Sequence, residues 1–507
     1  MAADLAGGLG AVALFAVPGF ALTELFPSLR RRPLPRRAAY GYLLGVAAVA
    51  GSLYALSHLC GVPLRPPAVW AAAAVPALAG VTASLLRRLS ARAKPPPGEH
   101  PASSPFSIAE PSTRETRATV PGASRPHAAA AGRFRFAARV RHFGGPLPVA
   151  CALAAALICV GVFAEALTNP PRDWDGRMTW GTQTRYVRAA GSVDAGVLLD
   201  SRWYVSHPQY PLLLPVAQVA VLEAFAADSD APLPRAVYAA FLPALLLVIY
   251  DGVRRAAGRT AAALAALAAA AAPFVIHGEG GAESTYSDLP LACFYGAGLV
   301  LLLGGRPRAE SGWVAGLLLA AAVLTKNEGA VLAAVALALG WRSGRAGVVR
   351  FAAAAVPVVM ALAFFASWRA GIPNRQDESY AELVQAGHLW PGIVTHVTDF
   401  VPVMIDKMNR FRHWAGFWWM APAALVAGRR ALRHPLARRC LAAAAGPPVV
   451  AWAAYSVHPH PATLAAVTWE RFLLQAAVPL LIVLACAWTE VWRLVSRPIS
   501  SPAGRCA

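Results

Sequence analysis

The sequence predicts an all-α, polytopic membrane protein: a bundle of about 13 transmembrane helices carrying a polar loop domain on its outward face. Three observations predict it. Hydrophobic residues make up 57% of the 507 and charged residues 14%, with mean hydropathy +0.48, too apolar a balance for a soluble chain of this size. The apolar residues fall in long runs, and a crossing of the hydrocarbon core needs roughly 20 of them. Finally, the basic surplus behind the net charge of +20 recurs in every second loop, as RRRPLPRR, RRLSARAK, RRAAGR, WRSGR and GRRALRHPLARR.

Taken in order, the expected spans are about 8–28, 38–60 and 67–86, then 146–167, 233–252, 258–277, 287–304, 311–325, 328–341, 350–368, 414–428, 440–457 and 471–490. The runs at 311–325 and 328–341 are short enough to be broken or re-entrant. The first run has no basic segment before it and three arginines (Arg30, Arg31, Arg32) after it, which predicts a retained span with its N-terminus outside. With that orientation, more than twice as many of the 46 Lys and Arg fall on the inner side as on the outer, and the acids are biased the other way. This positive-inside pattern explains the pI of about 10.4 without nucleic acid.

Residues 1–92 form a three-span N-terminal segment. Residues 93–145, rich in Pro, Ser, Ala and Arg, are expected to be a disordered cytoplasmic linker. The main membrane domain is 146–492, and 493–507 is a cytoplasmic tail. The seven cysteines are scattered through apolar runs with no zinc-ligand spacing.

Between Leu167 and Gln218 the composition changes abruptly, to LTNPPRDWDGRMTWGTQTRYVRAAGSVDAGVLLDSRWYVSHPQYPLLLPVAQ. Carboxylates, arginines and aromatics gather here between apolar spans, and Thr179 to Ala190 can form a helix lying at the interface. Asp173 and Asp175 flank Trp174 at the mouth of the bundle, where a partly desolvated carboxylate suits a general base; a solvated loop acid is the plainer alternative. GAESTYSDLPLACFYG places Asp288 at the outer end of a span, a natural cap for a helix beginning near Pro290. LTKNEGAV puts Lys326 and Glu328 at the outer junction of the two short spans, where ionisable groups are either functional or mutually paired. WERFLLQAAVP puts Arg471 at the outer start of the last span. Two outward cations would suit a phosphate carried on a lipid. No P-loop, GxGxxG, HExxH or GxSxG context occurs, so nucleotide, zinc-protease and hydrolase-elbow chemistry lack support.

NPPRDWDGRMTW resembles the first outer loop of bacterial membrane glycosyltransferases of the GT-C superfamily, relatives of the protein mannosyltransferases (glycosyltransferase family 39) and of the aminoarabinose transferase of lipid A. YSDLPLA is similar to their second acidic motif, LTKNEG to their lysine-bearing turn, and ERFLLQAAVP to the start of a late span; the likeness covers about Pro146 to Trp492. It implies a GT-C-like bundle with Asp175, Asp173 and Asp288 as catalytic acids and Lys326 and Arg471 at the donor phosphate. His207, Tyr210 and Glu328 complete the set as substrate-binding candidates. The family's adjacent Asp-Glu pair is D-W-D here, and Phe472 stands where a tyrosine usually follows the late arginine. The implied reaction moves a sugar from a polyprenyl phosphate to a hydroxyl acceptor (lipid, glycan or protein) on the outer face of a bacterial plasma membrane. Some members use a divalent cation, a point the sequence leaves open. The competing reading is a transporter or flippase for a lipid-linked glycan. It is weakened by the absence of a repeat of spans and by the gathering of polar residues on one side.

The sidedness is directly testable. An impermeant thiol reagent applied from outside should label a cysteine introduced at Ser201 and spare one at Ser343; the reverse pattern would invert the topology.

Overall fold

The computed structural model describes residues 2–92, 146–171, 173–304, 308–373, 384–385 and 387–496. The expected linker at 93–145 and most of the tail lie outside them, and no strand occurs among the described residues.

Three helices open the chain: α1 (Ala2–Leu22), α2 (Leu34–Cys60) and α3 (Pro66–Arg92). Helix α4 (Leu147–Thr168) leads into the polar loop, which contains α5 (Thr182–Ala190) and ends at α6 (Leu213–Ala224). The series continues with α7 (Arg235–Ala257), α8 (Arg259–Ala271), α9 (Asp288–Leu303), α10 (Ala309–Val323), α11 (Glu328–Gly340) and α12 (Arg345–Arg369). It closes with α13 (Val397–Asn409), α14 (Phe417–Ala427), α15 (Pro435–Val457), α16 (Pro461–Gln475) and α17 (Ala477–Val495).

Eight of these (α1 to α4, α7, α12, α15 and α17) are long and apolar enough to cross a membrane. Helices α6, α8, α9, α10, α11 and α14 are apolar but shorter, at 10–17 residues. The run expected at 258–277 stops early because Pro273 follows Ala272 and starts a separate short helix, Pro273–His277. The last span also differs from expectation. It begins at Ala477, not at Arg471, since Pro479 has no N–H to give the carbonyl of Gln475 and the chain breaks at Ala476. Arg471 therefore belongs to α16.

Helix α9 is the axis of the bundle. All sixteen of its residues are buried, and α7, α10, α11, α16 and α17 pack around it. An apolar helix covered on every side needs no amphipathic stripe, which is why DLPLACFYGAGLVLLL reads as hydrophobic all round. The N-terminal helices join the bundle directly: α1 crosses α2 and α3, and α2 packs on α6, α7 and α10. Glycine makes the α1–α2 crossing possible. A Cβ on Gly19 would lie 1.8 Å from the Gly41 carbonyl oxygen, and one on Gly45 1.8 Å from that of Phe15. Small residues allow this close backbone approach, in which packing and not hydrophobicity holds apolar helices together.

Gly45→Leu should therefore force α1 off α2. The expected cost is ~1–3 kcal/mol or more, as for overpacked cores, and it is read as a lower thermal unfolding midpoint of the purified chain in detergent.

Candidate active site

Four segments distant in sequence meet at the N-terminal end of α9. Asp288 is the first residue of that helix, with Ser287 before it, so the carboxylate lies at the positive end of the helix dipole. The simple capping role expected from sequence is not what the side chain performs: no side-chain cap bond forms there. Asp288 is fully buried and accepts three side-chain bonds instead. Lys326 Nζ and Gln475 Nε2 each lie 2.9 Å from Oδ1, and Arg471 Nε lies 2.9 Å from Oδ2.

Each neighbour extends the network. Arg471 Nη1 donates to Asp175 Oδ2 at 2.9 Å, and Lys326 Nζ is 3.0 Å from Glu328 Oε1. The result is a continuous chain, Asp175–Arg471–Asp288–Lys326–Glu328, of three carboxylates and two cations. Lys326, Arg471 and Asp288 are buried, whereas Asp175 and Glu328 are partly open at the two ends. The Arg471 guanidinium also sits 4.8 Å over the Tyr286 ring, and the Tyr286 hydroxyl accepts the backbone N–H of Asp175 at 3.0 Å. Burial raises the Tyr286 hydroxyl above its ordinary range, with the Asp175 carboxylate adding to the effect, so it stays protonated.

Local sequence explains how these groups come so close. Asp175 precedes a π-helical turn, Gly176–Gly181, that runs into α5; a π turn is rare and concentrates at functional sites. Any Cβ on Gly176 would fall 2.4 Å from Thr285 Oγ1, so the D-W-D-G turn reaches the Ser284–Ser287 loop through its glycine. Gly280 has φ +94, and a Cβ there would touch Asp288 Cβ at 3.0 Å and Arg471 Cγ at 3.3 Å. In the LTKNEG turn a Cβ on Gly329 would lie 1.9 Å from the Ala322 carbonyl oxygen. Each glycine is required by a close approach, and Gly280 also by its positive φ.

The remaining sequence candidates lie around this chain. Asp173 is two residues from Asp175 but makes no bond to Arg471; its charge neighbours are Arg235, Glu283 and Arg177. Partial burial holds its carboxyl above the ordinary aspartate range. His207, at φ +47, stacks on Tyr210 with ring centroids 5.0 Å apart, and Tyr210 stacks in turn on buried Trp180 at 5.7 Å. Gln183 Nε2 fixes this stack by donating to the carbonyls of Ser206 and His207 at 2.9 and 2.8 Å. Tyr210 lies within electrostatic range of Arg471.

Several participants were not anticipated. Gln475 is one helical turn beyond Arg471, so its i+4 spacing was the available signal. Glu279 is near enough to act electrostatically on Arg471, Asp173 and Asp175. Buried Arg235 anchors the root of the acidic loop, pairing with Glu165 at 2.8 Å and donating to the carbonyls of Asn169 and of Glu283, the latter at 2.7 Å. Beside Arg471, Glu470 takes His413 Nδ1 at 2.6 Å, Trp414 Nε1 at 3.1 Å and Lys407 at 3.5 Å, which docks the end of α13 and the short helix Phe411–Trp414 onto α16. Among the described residues, no group of three or more His, Cys, Asp or Glu is arranged to hold a metal ion. No protein-family model, curated protein or solved structure matches the chain.

A carboxylate shared by two buried cations is costly to remove. Asp288→Leu should lower stability by ~3–5 kcal/mol, because Lys326 and Arg471 lose their common partner. Glu328→Gln, at the open end of the chain, should cost far less when both are compared by chemical or thermal unfolding.

Proposed function

We propose that this chain is an integral-membrane glycosyltransferase of GT-C type, moving a sugar from a polyprenyl-phosphate donor to a hydroxyl acceptor on the outer face of a bacterial plasma membrane. The observation that carries the reading is the linkage of Asp175, Arg471, Asp288 and Lys326 by hydrogen bonds at one end of the bundle. These are the residues that the four motifs bring from separate parts of the sequence. In this reading every shorter apolar helix except Leu213–Ala224 adds a crossing, giving about 13 with the eight long ones.

The chemistry needs a base, a clamp on the leaving phosphate and a dry approach. Asp175 Oδ2 is held by Arg471, while no bond engages Oδ1 among the described residues. That oxygen takes the acceptor proton as the hydroxyl oxygen bonds to the anomeric carbon and the bond from that carbon to the phosphate oxygen breaks. The displacement inverts the anomeric centre. Arg471 and Lys326 hold the charge developing on the polyprenyl phosphate, and Asp288 fixes both cations in place. Glu328, His207 and Tyr210 line the approach as substrate contacts, the two rings offering an aromatic platform of the kind sugars stack on.

The test uses purified protein in liposomes with a panel of polyprenyl-phosphate sugars. Asp175→Asn should lower transfer by a factor of roughly 100 to 10,000 with donor binding retained, as expected for loss of a general base. Lys326→Ala and Arg471→Ala should weaken donor binding as well as turnover. Asp173→Asn should cost less activity. A carboxyl whose folded pKa is raised by burial destabilises the folded state once it ionises, so this variant should be no less stable than wild type at neutral pH, and any gain should fade as pH falls and Asp173 protonates. Full transfer activity in both Asp175→Asn and Asp173→Asn would sink the reading in favour of transport.

A further inference from the structure

The end of the bundle opposite the acidic chain holds a second charged site. Where α9 finishes, a cavity of about 400 Å³ opens between the α1–α2 connection and the main bundle, walled by Leu301 and Gly304. Five arginines line it: Arg31, Arg32 and Arg36 from the connection and the start of α2, Arg255 from the end of α7, and Arg308 from the start of α10. The acids available to them are few. Asp251, fully buried in the wall, pairs with Arg32, with Arg36 at 2.9 Å and with Arg255 at 2.5 Å, and accepts the Tyr40 hydroxyl at 3.0 Å. Glu310 lies 3.6 Å from Arg308.

Among the described residues, five guanidinium groups against two carboxylates leave three positive charges uncompensated around one concave space. The arrangement exceeds what helix orientation requires. Arginines that merely mark the inner end of a span extend into bulk water, yet the side chains of Arg32 and Arg36 are only 11% exposed. They are drawn inward by Asp251, which orders three guanidinium groups into a fixed set of donors before any ligand arrives. Arg31 pairs with no side chain among the described residues, and Ser28, also in the wall, has a buried Oγ without a hydrogen-bond partner. A preorganised array of guanidinium groups with a spare hydroxyl matches the oxygens of a phosphate group.

We infer that this cavity binds a phosphate-bearing ligand, a phosphomonoester or a pyrophosphate, at the arginine-rich end of the bundle and away from the acidic chain. The source of the phosphate is either a lipid headgroup or a soluble phosphate compound. Since the walls come from both the N-terminal helices and the main bundle, occupancy clamps one to the other and stabilises the folded chain by mass action.

The experiment measures thermal unfolding of the full-length protein in phosphatidylcholine nanodiscs. One arm titrates inorganic phosphate and pyrophosphate, and the other adds phosphatidic acid to the discs. Arg31→Gln/Arg308→Gln is the site variant, chosen because both side chains are exposed and neither holds Asp251. Arg429→Gln/Arg430→Gln, an equal change of charge outside the cavity, is the control. A saturable rise in midpoint whose apparent Kd weakens roughly tenfold in the site variant and stays put in the control supports the site. Saturation in the first arm assigns a soluble compound, and saturation in the second alone assigns a lipid headgroup. No stabilisation in either arm, or equal weakening in the two variants, overturns the inference.

Discussion

One buried carboxylate determines how this protein is put together. An ionised aspartate sealed among apolar helices costs several kcal/mol unless its charge and lone pairs are met, and removal of any one partner leaves another charge stranded. Asp288 is met by the α10–α11 turn through Lys326 and by α16 through Arg471 and Gln475. Three segments that share no sequence neighbourhood are thus held in one geometry, and Arg471 passes the constraint on to the acidic loop through Asp175. Gly280, Gly329 and Gly176 are consequences of this: each stands where a Cβ would push one partner away.

The polar groups divide between the two ends of an apolar axis. Helix α9 starts at Asp288 and ends beside the arginine cavity, a separation of about 24 Å at the rise of an α-helix. Helix α7 repeats the arrangement, with Arg235 at the root of the acidic loop and Asp251 and Arg255 at its other end. Helix α2 touches both regions as well. Arg36 near its start holds Asp251, and near its end the Ser57 hydroxyl accepts the Val193 N–H while His58 meets Asp194 at 2.9 Å. The N-terminal helices are therefore a strut for the polar loop, although none of the hydrogen bonds that link Asp175, Arg471, Asp288 and Lys326 involves them.

How much of this was legible follows from what each signal encodes. Hydropathy reports whether a segment is apolar, and it found the eight long helices while passing over the shorter Leu213–Ala224; it does not report whether a run is interrupted by backbone chemistry. That is why the last span was expected at Arg471 although Pro479 breaks the helix at Ala476. The motifs supplied Asp175, Asp288, Lys326 and Arg471 because those residues stand out as charges in apolar surroundings. Gln475 and Tyr286 did not stand out, being neutral, and their roles arise only from tertiary contact. Arg235 was absorbed into an apolar run, where its pairing with Glu165 could not be seen, as the two lie on different helices. The cap expected of Asp288 failed for an instructive reason: a buried acid at a helix start is drawn to the cations across the bundle in preference to its own backbone.

The charge balance of the acidic chain bears on how a phosphate could enter it. Three carboxylates already occupy two cations, so an arriving phosphate does not find bare positive charge and has to share Lys326 and Arg471 with their present partners. The partners are unequal. Asp288 is sealed in place by three bonds and cannot retreat into water, whereas Asp175 and Glu328 sit at the partly open ends and hold one cation each. Anionic competition would therefore loosen the ends and leave the centre intact. On the proposed reading this links donor binding to the freedom of the base: as the phosphate draws on Arg471, the hold on Asp175 Oδ2 weakens and the carboxylate can turn toward the acceptor hydroxyl. The same contact that restrains Asp175 before the donor arrives would thus release it once the leaving group is in position.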